Sequence, residues 1–65
     1  MQEYANTFSN MQASEAAAIL GNMTDNLDLA ASILKNLDVS TRGAILGAMD
    51  SAIAARIVKI MDPNS

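Results

Sequence analysis

Ala17-Ala18-Ile19-Leu20-Gly21-Asn22-Met23 returns three more times along the chain. The copies are Ala31-Ser32-Ile33-Leu34-Lys35-Asn36-Leu37, Gly43-Ala44-Ile45-Leu46-Gly47-Ala48-Met49 and Ala55-Arg56-Ile57-Val58-Lys59-Ile60-Met61. The aliphatic pair recurs at separations of 14, 12 and 12 residues. A small residue stands two positions before each pair, and Met or Leu stands three positions after its second member. Twelve residues upstream, Ala5, Thr7-Phe8 and Met11 fill the same places and supply a fifth, weaker copy. Self-similarity at a short fixed period is the signature of stacked supersecondary units.

Within each copy the apolar positions fall at i, i+3, i+4 and i+7, one stripe of a helix with 3.6 residues per turn. The sets are Tyr4, Thr7, Phe8, Met11; Ala16, Ile19, Leu20, Met23; Ala30, Ile33, Leu34, Leu37; Arg42, Ile45, Leu46, Met49; and Ala54, Ile57, Val58, Met61. A 12-residue period holds a helix of about 9 residues, about 14 Å long, and a short turn. The pattern predicts helices at about 2 to 11, 14 to 22, 26 to 36, 39 to 48 and 51 to 61. N-caps are expected at Ser14 or Gln12, Asn26, Asp38 or Ser40, and Asp50. Asp62-Pro63 stops the last helix, since proline lacks the backbone donor that would continue it.

The expected fold is therefore all-α, with five short helices stacked as a right-handed armadillo-like superhelix or a compact bundle. Helices this short are not stable alone, so each must lay its stripe on another. Each helix is expected to touch mainly its sequence neighbours. The small residues Ala5, Ala17, Ala31, Gly43 and Ala55 would let successive axes approach closely. Gly21 and Gly47 fall inside predicted helices, where close packing or a shortened helix would account for them.

Composition sets outer bounds. Sixty-five residues allow one domain. Without Cys or His there is no disulfide, thiolate metal site or imidazole base, which removes most catalytic chemistry; the expectation is no enzyme and no cofactor. A net charge of -3 argues against a nucleic-acid partner. The longest uninterrupted apolar run is Ala16 to Leu20, far short of a membrane span.

Three stretches carry a family resemblance: Tyr-x3-Phe-x2-Met at Tyr4 to Met11, Met-x4-Ala-Ala-x-Ile-Leu-x2-Met at Met11 to Met23, and Met-Asp-x3-Ala-Ala-x-Ile-Val-x2-Met-Asp-Pro at Met49 to Pro63. The chain resembles the cytoplasmic N-terminal domain of MgtE-type magnesium transporters and its flagellar relatives. Those relatives are the C-terminal domain of MotE-like proteins and, more remotely, the switch protein FliG. The opening Tyr-Phe-Met helix followed by four short units is closest to the MotE-like domain. That resemblance implies a stator chaperone or scaffold module, excised from a longer membrane-associated protein, with a flagellar stator or motor component as partner. The domain itself would be cytoplasmic or extracytoplasmic. The alternative it implies is a cytoplasmic magnesium-sensing domain of an MgtE-type transporter, for which no residue here can be named a ligand.

Candidate interaction residues are Tyr4, Phe8 and Arg42. An array leaves one face of each terminal unit open, and at the start this would expose Tyr4 and Phe8, the only aromatics, as anchors for a partner or for a homodimer through terminal helices. Arg42 takes a stripe position held by Tyr or Ala elsewhere. Its guanidinium is expected to reach Asp38 across one turn, or to grip a partner carboxylate. Asp38 and Asp50 read as caps, and Asp25 with Asp28 as a solvated turn. Met11, Met23, Met49 and Met61 read as interior fillers.

Overall fold

The computed structural model describes residues 2–62, and among them every regular element is a helix. They are α1 (Gln2–Ser9), α2 (Ala13–Gly21), α3 (Leu27–Lys35), α4 (Val39–Ala48) and α5 (Ser51–Met61). The domain is an all-α bundle with principal extents of 28 × 22 × 21 Å. Each helix falls on one repeat, within two residues of the expected span.

Local chemistry explains the starts. The Asp38 carboxylate accepts the Thr41 backbone N–H at 3.2 Å and the Thr41 hydroxyl at 2.6 Å, opening α4. Asp50 accepts from the Ile53 N–H at 3.2 Å and opens α5, and Asn26 accepts from Leu29 at 3.4 Å and opens α3. These are the side-chain caps that satisfy orphan first-turn donors. The cap of α2 is Gln12, whose side chain makes no cap bond. Helix α5 closes where the Asp62 N–H donates to Val58 O, and Pro63 lies outside the described residues.

Packing departs from the expected order. The two dominant contacts join α3 to α5 and α2 to α4; α4 meets α5 less extensively, and α1 rests on α3. A helix thus stacks mainly on the helix two places along, and sequence neighbours touch thinly. The physical reason lies in helix length. About two and a half turns joined by a tight connection give neighbours little length along which to run side by side, whereas helices i and i+2 can align their stripes.

Burial follows this alternation position by position. The first member of the aliphatic pair is buried only in helices with a predecessor two places back: Ile33, Ile45 and Ile57 are inside, while Thr7 and Ile19 are exposed. The second member is buried only where a successor lies two places ahead: Phe8, Leu20 and Leu34 are inside, Leu46 is half-buried and Val58 is 42% exposed. The small position obeys the second rule, with Ala5, Ala17 and Ala31 buried but Gly43 and Ala55 in solvent. Each helix therefore has a face toward i−2 and a face toward i+2. Only α3 has both covered, so Ile33 and Leu34 are both enclosed.

This corrects the expected role of the small residues, which holds in α1 to α3 but not at Gly43 or Ala55. A Cβ built on Gly43 or Gly47 would meet nothing within 4 Å, so close packing does not explain either glycine. A Cβ on Gly21 would make ordinary contact with Met49 Cγ at 3.5 Å, at the last residue of α2. No glycine among the described residues has positive φ. Replacing Gly43 and Gly47 by Ala is accordingly expected to stabilise the fold by about 1–2 kcal/mol in total, since alanine restricts the unfolded chain and suits helical geometry. Thermal unfolding followed by circular dichroism should show a rise of about 4–8 °C per kcal/mol in a domain of this size.

Candidate interaction surface

All buried side chains among the described residues are hydrophobic. No buried side-chain nitrogen or oxygen is left without a partner, and no three metal-ligating side chains converge. Ionisable groups sit on the surface, so the features that distinguish one region from another are exposed apolar area and charge.

Arg42 is half-buried, and its position is now specific. Its Nε donates to Leu34 O at 3.0 Å and its Nη2 to Leu37 O at 2.9 Å. The guanidinium therefore closes the C-terminal end of α3, where unsatisfied carbonyls and the negative end of the helix dipole favour a cation. The expected bond to Asp38 does not form. Asp38 is occupied by Thr41, and the fork of Arg42 fits one carbonyl of α3 and one of the connection that follows it instead. The sequence offered Asp38 as the near acid and gave no sign that two backbone acceptors would be nearer in space.

The hydroxyl and N–H of Thr41 hold the Asp38 carboxyl below its ordinary value of 3.8. A carboxyl lowered by folding contributes stability above its unfolded value and loses it as pH falls through the folded one. Asp38→Asn, which keeps a capping oxygen, is expected to reduce the acid-induced loss of stability below about pH 4. Urea midpoints of both proteins between pH 7 and pH 2 check this, and parallel pH curves would contradict it.

The aromatic pair separates. Phe8 is in the core and is not an exposed anchor, whereas Tyr4 is 55% exposed. Phe8 stands at the repeat position of the buried Leu20 and Leu34, whereas Tyr4 is in solvent although its repeat equivalents Ala16 and Ala30 are buried. Met49 is buried, and Met11, Met23 and Met61 pack half-buried against the core, as interior fillers do.

The bundle thus ends in two uncovered faces. At the head, α1 and α2 present Tyr4, Thr7 and Ile19, the last 47% exposed. At the tail, α4 and α5 present Gly43, Leu46, Gly47, Ala55 and Val58, an uncharged surface continued by the exposed Val39. Sequence reasoning located the head through its aromatics but missed the tail, because Leu46 and Val58 are indistinguishable in sequence from the buried Leu20 and Leu34. The available signal was glycine: Gly43 and Gly47 weaken a helix that nothing crowds.

Between the α2–α3 connection and α5 runs an open groove of about 400 Å³. Asp25 and Asp28 line one side and Arg56 and Lys59 the other, over Leu27 and Ile60. No ion pair bridges it. With two cations facing the acidic pair, a divalent cation would meet repulsion there as well as attraction.

No protein-family model, curated protein or solved structure matches this chain. Among the described residues no helix is long and apolar enough to cross a membrane.

Proposed function

We propose that this chain is a non-enzymatic protein-interaction module that receives helical partners on the open end of its stack. The observation that carries the reading is the tail face: Leu46 and Val58 stand at positions which, in α1 to α3, are covered by the next helix but one. An apolar stripe already shaped to accept helices is complementary to a further helix pair. The flagellar assignment, a scaffold or chaperone for a stator or motor component, draws on the Tyr4-Phe8-Met11 opening and the repeated Ala-x-Ile-Leu-x2-Met frame.

The test is a photo-crosslinking residue at position 58 in the native host. The expected result is an adduct with a flagellar motor or stator protein, lost when Leu46 is changed to Glu. Crosslinking no more frequent than from a probe at the exposed position 35 would overturn the docking reading. Magnesium titration covers the transporter alternative: a saturable rise in melting temperature at millimolar ion would favour the sensor over the scaffold.

A further inference from the structure

Resting on the docking reading, we infer that the helical partner which fits the tail face is the head of a second copy of this chain, so that molecules stack head to tail. The argument is continuity. In the bundle, α4 stacks on α2 and α5 on α3, and the same positions are buried each time: the first aliphatic of the later helix and the second aliphatic and small residue of the earlier one. The next helices in the series would stack on α4 and α5. They would need their i−2 faces free, and α1 and α2 are the helices whose i−2 faces are free. In register, α1 of a second copy lies on α4, with Thr7 toward Leu46 and Gly43. Its α2 lies on α5, with Ile19 toward Val58 and Ala55. The repeat then continues across the molecular boundary without change of pattern.

Charge supports the same polarity. Residues 1–34 hold Glu3, Glu15, Asp25 and Asp28 and no cation, whereas all four cations lie between Lys35 and Lys59. Glu3 and Glu15 sit one turn before Thr7 and Ile19, at matching positions beside the head face. On the tail, Lys59 adjoins Val58 and lies one turn after Ala55. The second half also carries Asp38, Asp50 and Asp62, so the complementarity is local: Glu3 and Glu15 beside the head meet Lys59 beside the tail, whereas head on head would oppose like charges. Gly43 removes side-chain bulk where the incoming helix would rest, at the repeat position that Ala17 and Ala31 fill in the internal contacts. Because the two surfaces differ, the contact is heterologous and propagates into chains or closes into rings rather than stopping at a two-fold dimer.

Sedimentation velocity on the full chain from micromolar to millimolar concentration tests this. The expected result is an average mass that grows past that of a dimer and falls with added salt. Val58→Glu and Ile19→Glu, at exposed positions, should each lower the association constant about tenfold or more. Each variant's circular dichroism and melting temperature report its folding; Thr7→Arg, at an exposed position, replaces Ile19→Glu if that variant melts early. An equimolar mixture of the tail and head variants should recover association but stop at dimers, since each molecule keeps one working end. A monomer at millimolar concentration overturns the inference, as does a dimer abolished by Val58→Glu alone and untouched by both head variants. In a head-to-tail chain the terminal copy keeps its tail open to another protein, so neither result touches the docking reading, which stands or falls on the crosslink from position 58 to a different protein.

Discussion

Leu34→Ala is expected to remove a large fraction of the chain's stability at 25 °C. Leu34 is fully buried in α3, the one helix covered on both its i−2 and i+2 faces. Removing its side chain takes apolar atoms out of the core and leaves a cavity, at a cost of about 2–5 kcal/mol. A domain of this length has a total stability of roughly 3–10 kcal/mol, so one such cavity is a large fraction of it. Val58→Ala provides the internal comparison. The two residues occupy the same repeat position, yet Val58 is part-exposed and has no helix above it, so its truncation should cost less than about 1 kcal/mol in the monomer. Urea unfolding at low concentration, where chains are apart, measures both. Equal midpoints would mean that the i+2 face is not what holds the bundle together.

The second large effect is expected at Arg42. Arg42→Ala removes two charge-assisted hydrogen bonds to Leu34 O and Leu37 O and uncovers the aliphatic surface beneath the arginine stem. The loss should be about 1–3 kcal/mol, with the partial exposure of the site placing it below the sum of two buried bonds. Arg42→Lys retains the charge but offers no planar fork with which to hold two carbonyls at once, and should recover only part of the loss. Asp38→Ala in the same backgrounds separates the two candidate partners: additive effects are expected, because Arg42 and Asp38 do not interact. A coupling between them comparable to the Arg42→Ala loss would restore the intrahelical ion pair and contradict the observed geometry.

The positions of the helices were legible because every term that sets them is local. The i, i+3, i+4, i+7 spacing of Ala30, Ile33, Leu34 and Leu37 defines a stripe whatever lies across from it, and Asp38 and Asp50 can cap because their acceptors lie three residues from the donors they serve. Arg42 shows where that reasoning stops. Asp38, four residues away, was the nearest acid in sequence, but the carbonyls eight and five residues back were nearer in space once α3 and α4 had turned against each other. Phe8 and Tyr4 show the same limit at the candidate surface. Both belong to one stripe, and the stripe by itself does not say which of them is covered.

Sequence alone determined an all-helical chain of five repeats with aliphatic stripes and acidic caps, because hydrogen bonds within a helix and the spacing of side chains around it depend on residues a few places apart. Tertiary structure decided that helices pair with the next but one and that Ile19, Leu46 and Val58 are left at open ends while their repeat equivalents are enclosed. The repeats share one aliphatic frame, so the frame itself does not record a copy's place in the stack; that place is set by which helices pack against it.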